Sequence, residues 1–246
     1  MHLVNHPSGG FAFLPGGPPY SGGVVALPGF EIVRATLQQP LPYRAGFALI
    51  DRYLESLGRP AAALCAIELR SPKPWSMEDF RIFNAEYRVE LQMRSILLDE
   101  INPVARTNVA PAYLPPEEPS LYAFAYTVPV ATTRRTFVIA GAGDLDERGI
   151  IAEGQTSPEA MRAKASFVMR VMLQRLTALG CCIDDMTAMA VYSVHSPLDF
   201  LTDILLAPLG AAAVHAFHWY YSRPPIVGLE FEVDMRGVRQ ELRIWE

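Results

Sequence analysis

Arg106, in the segment PVARTNV, is the residue whose type best suits recognition of a small substrate. A guanidinium directs two parallel N–H groups at a carboxylate and so fixes both its position and its plane. The competing role is an ion pair at an interface. Asn108 lies two residues further on, which on a strand is the same face. It can hydrogen-bond a substrate or satisfy a backbone group. In GLEFEV, residues 228–233, apolar and acidic positions alternate. That pattern puts Glu230 and Glu232 on one strand face, opposite Leu229, Phe231 and Val233. Glu241 shares this face if Leu242 points towards the helices. Carboxylates that face one cleft raise one another's proton affinity and suit general acid/base work. A solvated face, or pairing with Arg239 and Arg243, is the simpler reading for Glu230 and Glu232, and Glu230 also stays among the candidate ligand contacts. Tyr20 can orient a ligand through its hydroxyl, or pack.

Other chemistries find little support. His215 and His218 are three residues apart beside Trp219, and no third metal ligand accompanies them. With His195 they read as core or interface residues. The three cysteines, Cys65, Cys181 and Cys182, form no metal-binding spacing. Cys65, inside ALCAIEL, reads as a small buried hydrophobe. No phosphate loop or nucleophile elbow occurs. No metal and no cofactor is therefore expected. The formal net charge is −5 with no basic run, which speaks against a nucleic-acid partner. No secretory signal or membrane span is recognisable, since Asp199, Asp203, Pro208 and two histidines interrupt the apolar stretch 198–221. That stretch reads as a buried helix, and the chain as cytoplasmic.

The elements that must position these residues fall into two similar series. After a Gly/Pro-rich arm of about 30 residues that ends in a short hairpin, strand character runs over 30–38. The spacing predicts a helix over 42–57 ended by Gly58, a strand over 64–69, and a second helix from Ser76 to about Ile96. Strands over 106–110 and 121–128 complete the first series. The second comprises a strand over 137–142, a helix opened by Ser157-Pro158 and ended by Gly180, a strand over 188–194, and a long helix from Ser196 to about Tyr221. Strands over 228–233 and 238–244 close it. LESLG (54–58) matches LTALG (176–180), and Ser76-x-x-Asp79-Phe80 matches Ser196-x-x-Asp199-Phe200, at nearly one offset. The chain is thus expected to be α/β, a tandem of two-layer sandwiches, each a mixed sheet with two helices on one face. The units are residues 1–130 and 131–246, with the junction at 131–135. The second unit, or another chain, must cover each bare sheet face.

At this point a family resemblance emerges. The second series, from FVIAGAGDLDERG through LTALGCCIDDM and YYSRPPIVGLEFEV to VRQELRI, resembles a RidA/YjgF subunit from end to end. Pro19-Tyr20-Ser21 and Ala105-Arg106-Thr107 are similar to that family's Pro-Tyr-Ser and Ala-Arg-Thr segments. The resemblance implies a chorismate-mutase-like fold, barrel-shaped trimers, here a trimer of two-unit chains, and active sites in clefts between subunits. It implies hydrolysis of enamines and imines such as 2-aminoacrylate to keto acids and ammonia. An arginine at the Ala-Arg position would grip the substrate carboxylate, and a final-strand glutamate would handle the water. Those positions fall on Arg106 in the first unit and Glu241 in the second. Val227 or Gly228, and Phe124 or Tyr126, stand at the complementary places, so the pair is split and a site would form where unlike units meet. Arg34 falls where the family has a small cleft residue; a second arginine there would suit a dicarboxylate, against a plain ion pair. The expected function is deamination of a small enamine or imine carboxylate by Arg106 and Glu241, with Tyr20, Arg34, Asn108 and Glu230 as ligand contacts. A non-catalytic ligand-binding or scaffold protein, and a chorismatase-like hydrolase of a dicarboxylate, are the alternatives. The ribonuclease activity sometimes attached to the family name conflicts with the acidic charge.

Overall fold

The computed structural model describes residues 2–17, 19–131 and 135–245. Three strands open the chain: β1 (Val4–His6), β2 (Phe11–Leu14) and β3 (Gly23–Ala26). β4 (Phe30–Pro42), α1 (Tyr43–Ser56), β5 (Leu64–Arg70), α2 (Met77–Met93), β6 (Ala105–Pro111) and β7 (Ser120–Pro129) follow. The later elements are β8 (Phe137–Gly143), the small hairpin β9 (Leu145–Asp146) and β10 (Gly149–Ile150), α3 (Pro158–Ala178), β11 (Ala188–Tyr192), β12 (His218–Tyr220), β13 (Ser222–Arg223), β14 (Glu232–Gly237) and β15 (Gln240–Ile244). Local chemistry accounts for the helix ends. The Ser76 and Ser157 hydroxyls accept from the backbone N–H of Asp79 and Ala160. Gly58 and Gly180 stop α1 and α3 at φ +64° and +68°, values that cost glycine little.

The strands form a seven-stranded sheet in the order β1-β2-β3-β8-β14-β11-β12 and a six-stranded sheet in the order β13-β6-β5-β7-β4-β15. Both mix parallel and antiparallel pairs. The outer face of the six-stranded sheet is covered by α1 and α2, through Phe47, Ile50, Leu54, Phe83, Tyr87 and Leu91. The outer face of the seven-stranded sheet is covered by α3 and the segment that follows β11, through Met161, Val168, Met172, Phe200 and Leu205. A third core, with Phe11, Phe13 and Val24 from one sheet and Ile32, Cys65, Ala66, Ala105 and Ala125 from the other, joins the inner faces. The mixed α/β sandwich expected from the sequence is thus present as four layers, helices–sheet–sheet–helices. Each sheet covers the other's bare face.

Four sequence expectations are corrected. The N-terminal arm, expected to be irregular up to a short hairpin, instead forms three strands: β1–β3 extend the sheet built by the second half of the chain, with β3 pairing to β8. In return β15 leaves that half and pairs in parallel with β4. Sheet membership therefore crosses the expected junction in both directions, and residues 132–134 of that junction lie outside the described residues. The long helix over 196–221 is absent. Leu198–His215 is a run of short 3-10 and π turns in which only Phe200, Leu205, Leu209 and Ala212 are buried. Pro208 lacks a helical N–H, and Gly210 sits at φ +54°, ψ −126°, so no continuous ladder forms. His215 ends that run and His218 lies on β12, so the two share no helix. Finally, residues 228–231 are a loop and the strand begins at Glu232.

One fully buried ion pair ties α3 to this framework. Lys164 Nζ lies 2.7 Å from Asp144 Oδ2 and 2.6 Å from the Ile151 carbonyl, and neither ionic side chain is exposed. Asp144 Oδ1 also accepts from the backbone N–H of Glu230 and Phe231. Lys164→Met would strand a buried carboxylate, so a loss of about 3–5 kcal/mol is expected, read as a lowered urea midpoint. A midpoint within error of wild type would contradict it.

Candidate active site

A cleft of about 130 Å³ opens where β6 of one sheet meets β8 and β14 of the other. Its polar lining comes from Tyr20, Arg106, Asn108, Arg175 and Glu232, and its apolar lining includes Phe80, Phe167, Val171, Ile226 and Leu229. The loop before β14 contributes Pro225, Ile226 and Leu229. It is clasped to the first half by backbone bonds, Trp75 N–H to Pro225 O at 2.8 Å and Val227 N–H to Trp75 O at 2.9 Å. Its other end is pinned by Asp144. Both halves of the chain therefore build the cleft walls.

Arg106 is 3% exposed. Its guanidinium lies 4.7 Å from the Tyr87 ring centre and 5.3–5.8 Å from those of Tyr20, Phe80 and Phe83. Such ring faces stabilise a cation while excluding water. Nη2 donates to Asn84 Oδ1 at 2.6 Å. Nη1 has no partner among the described residues, and nor does Asn108 Nδ2, whose Oδ1 accepts from Ser71 Oγ at 2.8 Å. Burial lowers the Arg106 pKa, and Tyr87, Tyr20 and Glu232 only partly restore it. Two buried, unmet donors beside one cleft call for an acceptor, and an anion meets the need best.

Glu232 supplies the acid. It is 4% exposed and sits centrally in its sheet, between Gly143 of β8 and Tyr192 of β11. A Cβ added at Gly141 would collide with its Oε1, so the glycine makes room for the carboxyl. Burial, then Asp234 and Asp144, push the Glu232 pKa well above the usual range, and Arg106 and Arg70 do not offset them. Arg175, from α3, donates Nη1 to the Ala140 carbonyl at 2.9 Å and is also depressed by burial.

Of the six residues given a catalytic or ligand-binding role from the sequence, the cleft gathers Tyr20, Arg106 and Asn108. The other three lie elsewhere. Arg34 makes a two-pronged bond to Glu68 at 2.6 and 2.9 Å and contacts Thr36 and Glu241, the plain ion pair rather than a ligand contact. Glu241 bonds Arg236 at 2.6 Å and Arg34 at 3.4 Å; these arginines hold its pKa low against the effect of burial, as a salt-bridge partner and not a proton donor. Glu230 is held by His195 at 3.0 Å and Arg223 at 3.4 Å. The carboxyl that shares the cleft with Arg106 is thus Glu232, which the alternation of GLEFEV had marked but burial alone distinguishes from Glu230. Arg175 carried no sequence signal beyond being a cation among the apolar positions of a helix. The glycines of AGAG, residues 140–143, opposite an acidic strand, were the available hint that a side chain needed space.

Fold and cleft together define an α/β sandwich with an internal cleft in which buried, unmet donors stand near a carboxyl of raised proton affinity. The chain belongs to the family described as 2-aminomuconate deaminase CnbZ, whose model matches residues 3–242. It is 41% identical over 243 residues to the 2-amino-5-chloromuconate deaminase of Comamonas testosteroni, covering 95% of each chain. Among solved structures, it matches a chorismatase at 13% identity and a TM-score of 0.48, over 97% of this chain and 80% of that one. A candidate endoribonuclease from Thermotoga maritima matches at 17% identity and a TM-score of 0.29, over 46% of this chain and 84% of that one.

The raised pKa of Glu232 has a thermodynamic signature. Between the ordinary carboxylate value and its raised value, the folded state keeps a proton that the unfolded state has released. The stabilisation from that proton is complete at low pH and is lost as pH rises. Glu232→Gln removes the dependence, so the variant's stability relative to wild type should increase from pH 4 to pH 8 in urea titrations. A difference that is flat or falls with pH would refute the assignment.

Proposed function

We propose that this protein hydrolyses the C–N bond of a 2-aminomuconate-type substrate, an amino-substituted hexadienedioate, releasing ammonia and a 2-oxo acid. The observation that carries this reading is the cleft itself. A buried guanidinium with an unmet donor stands beside a carboxyl whose surroundings favour its neutral form. The family, and the activity named for the Comamonas relative, support the same substrate class.

The chemistry follows from these groups. Arg106 and Asn108 hold the carboxylate next to the amino-bearing carbon, C2. Neutral Glu232 gives its proton to a carbon of the enamine, and the nitrogen lone pair forms a C=N bond to C2. The resulting Glu232 carboxylate takes a proton from water as the water oxygen adds to C2, which is acid then base in a single residue. That proton passes to nitrogen, the C–N bond breaks with its electron pair leaving on ammonia, and the C2 hydroxyl returns its proton to Glu232 as C2 becomes a carbonyl. One water enters and one ammonia leaves.

Ammonia release from 2-aminomuconate tests the proposal. Arg106→Gln should lower kcat/KM by about 10²–10³, as expected for a charge-assisted bond lost from a buried site. Glu232→Gln should lower kcat by about 10²–10⁴ and change KM little. For wild type, kcat/KM should fall as pH rises through the raised Glu232 pKa. Wild-type rates in either variant, or no release above the uncatalysed rate, would sink the reading.

A further inference from the structure

We infer that the cleft is a two-arginine clamp for a dicarboxylate, in which Arg175 binds the carboxylate remote from the reacting carbon. This rests on the reading above for which carboxylate Arg106 takes, but not on the turnover of any substrate.

The first observation is placement. Arg106 on β6 and Arg175 on α3 approach one cleft from opposite halves of the chain. Tyr20 and Glu232 line the same cleft and neighbour both guanidiniums. The second is donor capacity. Arg175 gives Nη1 to Ala140 O, and its remaining donors meet no protein acceptor among the described residues.

The third observation is the charge balance. The other acids near the cleft are already engaged: Asp144 by Lys164, Glu230 by His195 and Arg223, and Asp234 by Tyr192 and Arg236. Glu232 alone faces both arginines, and its surroundings favour the neutral carboxyl. Arg106 is buried and Arg175 partly buried, and the one carboxyl beside both favours its neutral form, an arrangement that costs free energy until anions arrive. A monocarboxylate would leave one cation uncompensated, whereas a dicarboxylate matches both. The rest of the lining includes hydrocarbon, Phe80 from the first half of the chain and Phe167, Val171 and Leu229 from the second. A ligand with two charged groups on an apolar, flat carbon chain fits that lining.

Calorimetric binding of two unreactive probes, hexa-2,4-dienedioate and hexa-2,4-dienoate, tests the clamp. The probes share a carbon chain and differ in one carboxylate, and neither has a C–N bond. Wild type should prefer the diacid at least tenfold. Arg175→Gln should remove that preference by weakening the diacid alone, while unchanged monoacid binding shows that the fold is intact. Arg175→Lys, which keeps a cation, should retain part of the preference. A preference that survives in Arg175→Gln, an equal loss of both probes, or a Lys variant no more selective than the Gln variant would overturn the assignment. A clamp confirmed here without ammonia release would count against the deaminase reading and leave the clamp standing.

Discussion

Removing a guanidinium from water costs several kcal/mol unless an acceptor of matching charge faces it, and among the described residues four arginines are buried, Arg34, Arg70, Arg106 and Arg236. Three of them lie beside a carboxylate of the protein. Arg34 grips Glu68 with two bonds, Arg236 bonds Glu241 at 2.6 Å, and Arg70 lies 3.7 Å from Glu68 and over the Tyr122 ring. Burial works to raise the Glu68 pKa, yet Arg34 and its neighbours hold it at about 2, so Glu68 stays charged. Arg106 receives only a neutral amide oxygen and aromatic faces. That imbalance among otherwise similar residues separates a structural network from a site. Removing Arg34 would strip the buried Glu68 carboxylate of both its bonds, whereas Arg106 is left to be completed from outside.

The exchange of edge strands makes this imbalance sustainable. β1–β3 close the sheet of the second half, and β15 closes that of the first. β15 is mostly exposed and contributes little apolar area. Its hold on β4 comes from main-chain pairing, from Glu241 bound to Arg34 and Arg236, and from Arg239 and Gln240 bound to Glu31. Each half is therefore incomplete without the other, and the chain links β3–β4 and β14–β15 tether the two sheets that form the cleft walls. A rigid frame matters because an unmet buried donor would otherwise recruit water or a shifted carbonyl and lose its preference for ligand.

What was legible in the sequence follows the range of the interactions. α1, α2 and α3 were readable because capping serines, terminal glycines and helical apolar spacing are local signals. Residues 198–215 were not, because their apolar content is high while Pro208 and Gly210 deny it a helical period. The exchanged strands left no local trace, since nothing in QELRI states that its partner lies some 200 residues earlier. The site shows the same division. Alternation placed Glu232 and Glu241 on matching faces, but β14 is central in one sheet and β15 is an edge of the other, so the two carboxyls enter different environments. Parity along a strand fixes a face; only the assembled sheets decide whether that face is a solvated edge, a salt-bridge network or a cleft.

Burial acts on the two principal groups in opposite directions, and the proposed chemistry depends on this. It raises the proton affinity of Glu232 and lowers that of Arg106, so neither group fully neutralises the other. A substrate carboxylate settling on Arg106 adds negative charge beside Glu232 and favours its neutral form further. Binding therefore strengthens the acid's hold on the proton that it must deliver. Once that proton reaches carbon, the substrate carries a cationic C=N group next to the new carboxylate. The local field reverses, and the anion is stabilised for long enough to deprotonate water. A carboxyl at the position of Glu241, already ionised and held by two arginines, would answer neither change of charge. The requirement is for a group whose protonation follows the charge of the ligand, and among the acids singled out in the sequence only Glu232 lines the cleft where that charge changes.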